Sequence, residues 1–354
     1  MEEEEKKVFS EVLGKYVILP NYYYFVSMHA KNDYCIFKDE EDYRTMNNIL
    51  GISVSKNDAV CLGASIMSNH YHIDASCLNF TKLLKSINVS YTAYYNKKYS
   101  HKGTVWNGRS KKAKIYFDDF IKSRDKLHYS IGNAARHKLC ISPMLYRWNS
   151  SRVYFEKKEI ENNEIFSLTE RKRVKLLTKE EQKKFLPQKM VLPDTYMMNQ
   201  NGLILPESYI EKSYVERIFH SQSKLYRKLN TKSYTENYNR KVKVEQLKRK
   251  LDRAKSQLEK DYIQKKINHE LDPSLVKQSD TMVCAELFNI CREKNIPFMK
   301  SLPSNPKRQI NSFEFHEILN SLRDRFIHIT QKQCSRCMGV DLQSIKQHWH
   351  DLYF

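Results

Sequence analysis

The sequence predicts an α+β fold, in which an antiparallel sheet with helices on one face is followed by a mostly helical C-terminal region. Up to about residue 155, strand-like and helix-like segments follow in the order strand, helix, two strands, helix, helix. Charged, helix-like segments prevail beyond that point. We therefore predict an α+β domain at residues 1–155, a charged linker and helical region at 156–275, and a helical C-terminal domain at 276–354.

The elements of the first domain follow from residue spacing. Residues 22–30 are aromatic and β-branched, which is typical of a strand, and residues 40–50 have helical spacing. Residues 58–67 predict a second strand, and Ser68-Asn69 predicts a tight turn into a third. Residues 80–99 predict an amphipathic helix. Asp118-Asp119 open a last helix, whose expected inner side carries Phe120, Ile121, Leu127 and Ile131.

Composition indicates a polyanionic partner. The formal net charge is +20 and the pI is near 9.4, which favours nucleic acid as the partner. The acidic N-terminus does not resemble a secretory signal, and no apolar run is long enough to span a bilayer, so we expect no membrane association. Eight scattered cysteines in such a chain predict reduced thiols and a cytoplasmic location.

Two nucleotide-binding motifs are excluded by the residues present. The eight glycines form no GxGxxG pattern. Gly103 and Gly108 have phosphate-loop spacing, but Arg109 stands where such a loop has its lysine. No buried apolar strand precedes them either, so an ATPase is not predicted.

His70-Tyr71-His72 is the first candidate for chemistry. In a strand His70 and His72 point to one face, about 7 Å apart, while Tyr71 points to the other. Two imidazoles on one face can share a divalent metal. An isolated His-x-His is more often a pair of ordinary histidines, so its significance depends on its neighbours.

A basic segment follows at residues 97–114, which contain seven lysines or arginines and no acid. Basic side chains can follow a phosphate backbone while aromatic rings stack on unpaired bases. The candidate DNA-binding residues here are Lys97, Lys98, Lys102, Trp106, Arg109, Lys111 and Lys112. For Trp106 the alternative is that the ring anchors a solvated loop to the core.

Four motifs in order resemble those of the REP-associated tyrosine transposases, single-tyrosine members of the HUH endonuclease superfamily. The resemblance covers roughly residues 18–155 and is carried by Met67-Ser68-Asn69-His70-Tyr71-His72-Ile73, Gly103-Thr104-Val105-Trp106-Asn107-Gly108-Arg109, Tyr129-Ser130-Ile131-Gly132-Asn133-Ala134-Ala135-Arg136-His137-Lys138-Leu139 and Trp148-Asn149-Ser150-Ser151. It implies a ferredoxin-like HUH catalytic fold and, with it, a prokaryotic, nucleoid-associated protein.

The resemblance also implies roles for individual residues. Tyr129 would be the nucleophile that forms a 5′-phosphotyrosine link to DNA, and Asn133 would complete a metal site with His70 and His72. Mg²⁺ or Mn²⁺ is the expected ion, because phosphate oxygen would complete the ligand shell, and no ATP is needed. Arg136 falls in the same motif and is a further DNA-binding candidate.

Four departures from the family pattern leave a second reading open. Ala134 replaces a usual proline and His137-Lys138 replace Ala-Gly, while Ser110 and Tyr71 replace a phenylalanine and an aliphatic residue. None of them removes a group from the expected centre. A domesticated, non-catalytic DNA-binding regulator is therefore the alternative, and a hydrolase that activates water with the histidines and a metal is a third.

The C-terminal half offers two candidate modules. Residues 240–266 have apolar positions at three- and four-residue spacing, typical of a short coiled coil for a homodimer or of an amphipathic helix packed on its own chain. Residues 330–349 resemble a helix-turn-helix with Gly339 at the turn, and the recognition helix would present Gln343, Lys346 and Gln347 to duplex DNA. A plain helical hairpin is the alternative. Cys334 is explained by a helical core better than by zinc.

Overall fold

The computed structural model describes residues 5–108, 110–137, 139–140, 143–155, 171–186, 192–225, 244–254, 256–271, 278–296, 312–326 and 329–350. It is an α+β protein with two compact units. The first contains residues 1–133 and 147–225, and the second contains residues 134–146 and 226–354. The boundaries of these two units differ from those of the three domains predicted from the sequence, and the three-domain division stays a prediction.

The first unit is built on a four-stranded antiparallel sheet, whose strands lie in the order Val60–Met67, His70–Ser76, Tyr22–His29 and Lys111–Tyr116 from edge to edge. The strands are β3 Tyr22–His29, β4 Val60–Met67, β5 His70–Ser76 and β6 Lys111–Tyr116. The first three were predicted, and Ser68-Asn69 is the expected two-residue turn between β4 and β5. Strand β6 was not predicted from the sequence, and neither was a separate hairpin of β1 Glu5–Ser10 and β2 Lys15–Pro20.

Helices cover both faces of this sheet, so the prediction that they all pack on one face is wrong. The helices α1 Glu40–Lys56 and α2 Phe80–Tyr99 lie on the face that carries Tyr71, whose hydroxyl donates to Asn88 Oδ1 on α2 at 2.9 Å. The helix α3 Phe120–Ile131 lies on the opposite face, where His72 points. Every residue of β5 is buried, which requires cover on both sides.

The inner side of α3 differs in part from the predicted one. Phe120 and Ile121 are exposed, whereas Leu127 and Ile131 face the sheet as expected. The Asp119 side chain caps the helix by accepting from the Lys122 N–H at 2.9 Å, which fixes where the helix begins. Phe120 lies on the same side of the helix as Leu127 but in the exposed first turn, whereas Ile121 is turned about 100° away from that side. A short helix, α4 Asn133–Arg136, follows Gly132.

Residues beyond 155 complete the first unit. They contribute β7 Arg171–Arg173, β8 Met197–Asn199 and the helices α5 Lys179–Phe185 and α6 Ser213–Phe219. The segment docks on α1, since Asn47 Nδ2 donates to the Ile204 carbonyl at 2.7 Å and Tyr209 donates to Asn47 Oδ1 at 2.8 Å. Tyr214 on α6 bonds Ser123 on α3 at 2.9 Å. The sheet domain therefore has a supporting layer that is distant in sequence.

The described part of the second unit is helical. It contains α7 Gln257–Leu271, α8 Asp280–Glu293, α9 Ser312–Arg325, α10 Gln331–Met338 and α11 Leu342–His350. The predicted apolar line of residues 244–258 is interrupted by a turn after residue 251, and Leu258 is 81% exposed. Val244 and Ala254 pack instead with Ile263 and Ile267 of α7. This packing on the same chain is the alternative to a coiled coil. No helix in the described ranges is both long and apolar enough to cross a bilayer.

Candidate functional site

Strand β5 presents His70, His72 and Asp74 on the sheet face that α3 covers. The imidazoles of His70 and His72 are buried, with ring centroids 5.0 Å apart and planes nearly perpendicular. In the register with β3, His29 lies opposite His70 and Ser27 lies opposite His72. Side chains paired across antiparallel strands share a face, so these groups form one polar row on the face that α3 covers, and all of them except the half-buried His29 are buried.

A chain of hydrogen bonds orients His70. An ionised Asp33 carboxylate can only accept hydrogen bonds. The Asn69 amide atom that lies 2.7 Å from Asp33 Oδ1 must therefore be the nitrogen, Nδ2, which donates to it. The amide oxygen of Asn69 then accepts from His70 Nδ1 at 2.7 Å. This assigns the proton of the neutral imidazole to Nδ1 and leaves a lone pair on Nε2. The Asn133 amide lies 2.8 Å from that Nε2.

A third histidine, His29, belongs to this row and was not predicted. Its ring stacks on His70 with centroids 4.6 Å apart and planes 11° from parallel. Its Nε2 lies 3.0 Å from Ser27 Oγ, and its Nδ1 lies 3.7 Å from Asp33 Oδ1. The alternation of Ser27 and His29 in a predicted strand was a visible signal. What the sequence lacked was the register that places His29 beside His70.

Tyr129 on α3 lies against His72. The two rings meet edge to face with centroids 5.6 Å apart, and Tyr129 meets Phe25 in the same way at 5.6 Å. Tyr129 remains 44% exposed, whereas His72 is 1% exposed. The tyrosine is therefore the solvent-facing member of the cluster, held at the edge of a buried imidazole.

Asn133 does not lie on the same helix as Tyr129. The helix α3 ends at Ile131, Gly132 is its C-cap, and Asn133 begins α4. Asn133 is buried and reaches His70, while Tyr129 is half-exposed and reaches His72. The structure thus brings all four predicted residues together through two separate contacts.

The donors at this site are of kinds that bind divalent cations. His70 offers an Nε2 lone pair fixed by the bond to Asn69; imidazole nitrogen binds divalent transition metals, and amide oxygen suits manganese and magnesium. Asn133 presents its NH₂ group to Nε2, so ligation through Oδ1 requires the amide to turn over. Within the described ranges no group of three His, Cys, Asp or Glu side chains is arranged to hold a metal. An amide ligand such as Asn133 is not counted among these four residue types.

Asp74 is a fully buried carboxyl group two residues beyond His72. Burial raises the pKa of Asp74 to about 8, and the nearby Ser130 hydroxyl and Lys126 ammonium oppose that rise. The same carboxyl and, to a larger extent, burial raise the pKa of Tyr23 on β3. The row therefore contains a carboxyl that burial favours in its protonated form, which spacing alone did not indicate.

The predicted basic residues divide by position. Lys97 and Lys102 are exposed, and Arg109 lies outside the described residues. Lys98 forms ion pairs with Asp39 and with the buried Asp42, at 2.7 and 2.9 Å, so it stabilises the fold. Its ammonium is committed to these carboxylates.

Lys111 and Lys112 on β6 point to opposite faces of the sheet. Lys111 pairs with Ser27, which in turn pairs with His72, so Lys111 lies in the row of the candidate site. Lys112 lies over the Tyr24 ring at 6.0 Å on the other face. Lys126 on α3, which the sequence analysis did not select, lies 5.2 Å above the Phe25 ring beside Tyr129. Lys111 and Lys126 are thus the lysines on the site face.

Trp106 is a core residue. It is buried among Phe37, Tyr71 and Tyr91, and its Nε1 donates to the Asn88 carbonyl at 3.1 Å. This is the anchoring role, since neither ring face is open to a base. The remaining candidates, Arg136, Gln343, Lys346 and Gln347, belong to the second compact unit.

Comparison with known proteins finds a likeness among solved structures. No protein-family model and no curated protein sequence matches the chain. A solved structure of a REP-associated tyrosine transposase bound to a REP hairpin aligns with 42% of this chain and 81% of its own, at 10% identity and a TM-score of 0.32. These values do not identify a family.

Proposed function

We propose that this protein is a metal-dependent, single-tyrosine DNA strand transferase that nicks and rejoins single-stranded or hairpin DNA. The observation that carries the proposal is the contact between the half-exposed Tyr129 and the buried His72, beside the linked His70 and Asn133. The four ordered sequence motifs and the net charge of +20 support the same conclusion.

Tyrosine suits this reaction only with assistance. With a pKa near 10, about one phenol in a thousand is ionised at pH 7, a deficit of about 4 kcal/mol. Tyr129 is exposed enough to meet a strand, and the edge of its ring lies against His72, which is on the row of polar groups. The arrangement can hold the phenol and a phosphate at the same polar row.

His70, His72 and Asn133 would hold the cation. When bound there, Mg²⁺ or Mn²⁺ supplies Lewis-acid polarisation of the scissile phosphate. Asn69 and Asp33 keep the His70 Nε2 lone pair available by fixing the proton on Nδ1. Their contribution is orientation, since neither side chain needs to touch DNA.

Lys111 and Lys126 would bind the phosphates that flank the cut. Both lie on the site face, one on the edge strand and the other one turn before Tyr129 on α3. Two ammonium groups on the same face as the tyrosine would attract and align the backbone, and the resulting affinity should fall with added salt. An edge strand rich in lysine also resists pairing with another sheet.

The proposed step is a transesterification. The Tyr129 oxygen attacks the phosphorus, the bond from phosphorus to the 3′-oxygen breaks, and that oxygen takes up the proton that the phenol gives up. The products are a 5′-phosphotyrosine and a free 3′-hydroxyl. Because one phosphodiester replaces another, a second 3′-hydroxyl can reverse the step, and neither water nor ATP is consumed.

The test uses labelled DNA from the flanks of the protein's own locus, offered as single strands and as hairpins with Mg²⁺ or Mn²⁺. The wild type should transfer a 3′-label to protein in a denaturing gel and release a 5′-labelled fragment that a polymerase can extend. Tyr129→Phe should abolish the adduct, and His70→Ala should reduce it strongly. Tyr116→Phe is the matched control, because Tyr116 is 43% exposed and lies on the edge strand.

Two outcomes would overturn the proposal in different ways. If the wild type cuts DNA without forming an adduct, and the Tyr129→Phe variant still cuts it, the protein is a hydrolase. Site-specific binding with no cleavage by the wild type on a cognate hairpin would make it a DNA-binding regulator.

A further inference from the structure

The last two helices of the second unit, α10 and α11, are joined by a short and firmly bonded turn. Gly339 ends α10 with φ of +65°, a left-handed conformation that favours glycine. Its N–H donates to the Ser335 carbonyl, and Ser335 Oγ donates to the Val340 carbonyl at 2.7 Å. Asp341 then caps α11 by accepting from the Ser344 N–H at 2.9 Å. The two helices are therefore held at a defined angle.

The helix α10 is in turn braced against α8. The Asp280 carboxylate accepts from Gln333 Nε2 at 2.9 Å and from Arg336 through two guanidinium nitrogens at 2.9 and 3.1 Å. The buried side of α10 contributes Cys334 and Cys337 to the hydrophobic core of the unit. Apolar packing explains both cysteines. Such bracing is what a helix needs if it is to fix the position of its neighbour.

One face of α11 is buried and the other is polar and open. Ile345 is fully buried, and Trp349 packs on the same core with the Arg323 guanidinium 5.2 Å from its ring. Gln343, Lys346 and Gln347 are all exposed. Their spacing of three and four residues places them on one side of the helix.

We propose that α11 is a recognition helix that enters the major groove of duplex DNA. Glutamine amides can bond adenine at N6 and N7, and a lysine ammonium can bond guanine at O6 and N7. With its side chains an α-helix is about 10 to 12 Å across, which suits a groove about 12 Å wide, and nine residues make a helix about 14 Å long. The open face carries no large apolar side chain, as a protein partner would require, and the RNA major groove is too narrow and deep to admit it.

The inference is independent of the proposed nicking activity. It assigns a second DNA contact to the described helices of the second unit, whereas Tyr129 and His72 belong to the first. The full-length Tyr129→Phe protein can therefore be used, because it keeps α11 intact and removes the nucleophile.

The experiment selects duplexes from a random library with full-length Tyr129→Phe protein and then measures affinity by fluorescence anisotropy. We expect an enriched duplex sequence that binds at least about a hundredfold more tightly than a scrambled duplex. Gln343→Ala with Gln347→Ala should reduce that ratio at least about tenfold, and Lys346→Ala should do so about fivefold or more. Lys265→Ala, on the exposed side of α7, should leave the ratio unchanged.

All these positions are exposed, so the variants should unfold at the same temperature as the parent. The proposal is overturned if no duplex is enriched, or if an enriched duplex binds the glutamine variant as well as the parent. Preference for single strands in every variant would also overturn it.

Discussion

Asn69→Ala tests whether the orientation of His70 matters to the site. The substitution removes the amide that accepts from His70 Nδ1 and donates to Asp33, each at 2.7 Å. Loss of a hydrogen-bonding partner behind a metal-binding histidine typically weakens metal affinity 10- to 100-fold, or about 1.4 to 2.8 kcal/mol. Two lost bonds at a buried position should also lower the free energy of unfolding by about 2 kcal/mol.

The assay is a Mn²⁺ titration of the full-length protein by calorimetry, with adduct formation measured in parallel. We expect Asn69→Ala to bind Mn²⁺ at least about tenfold more weakly than the wild type, and saturating Mn²⁺ to restore much of the adduct. His70→Ala should not be restored in this way, because it removes the proposed ligand itself.

Asn88→Ala is the matched control. It removes a buried bond to Tyr71 on the opposite face of the same strand, at 2.9 Å. It should cost about 1 to 2 kcal/mol of stability and leave Mn²⁺ affinity unchanged. If Asn69→Ala bound Mn²⁺ as tightly as the wild type while His70→Ala did not, the orientation argument would be refuted. Equal weakening by both asparagine variants would show that general destabilisation was the cause.

Three further predictions concern the fold around the site. Trp106→Phe should lower the free energy of unfolding, measured in urea, by about 1 to 3 kcal/mol without changing the affinity for single-stranded DNA. A loss of DNA affinity without a loss of stability would show instead that the ring stacks on a base. Lys98→Ala should destabilise by about 3 kcal/mol or more because it leaves the buried Asp42 uncompensated, whereas the exposed neighbour Lys97→Ala should stay within about 0.5 kcal/mol. Because burial raises the folded-state pKa of Asp74 to about 8, the folded chain keeps a proton that the unfolded chain loses above about pH 4. Stability should therefore fall between about pH 4 and 8, by at most about 6 kcal/mol, and Asp74→Asn in metal-free buffer should flatten that fall; an unchanged slope would contradict the assignment.

Local patterns were predictable because they depend on neighbours in the chain. The alternation of His70, Tyr71 and His72 predicted their faces, and the turn at Ser68-Asn69 was visible in its residues. The buried side of α3 was predicted only in part, because spacing does not show that the first turn, with Phe120 and Ile121, is exposed.

Long-range features could not be derived in the same way. Strand β6 reads Lys-Lys-Ala-Lys-Ile-Tyr, which resembles a basic loop until its pairing with β3 is known. His29 joins the site through the register of β3 with β5, and Asp33 joins it through the turn after β3. Neither feature can be read from the spacing of residues in the sequence. Asn69 looked like a turn residue and is one, but its side chain also orients a histidine.

Burial of both faces of β5 also bears on how this protein can change by insertion and deletion. One residue added directly before His70, if the strand rather than the turn takes it up, would exchange the two faces of β5. Tyr71 would then point into the polar row, and the histidines would point into the aromatic packing around Trp106. A frame-preserving insertion would thus remove the fold and the histidine pair in a single event. We therefore expect natural selection to remove insertions in this hairpin more strictly than most substitutions. The histidines are inherited together with the core that holds them.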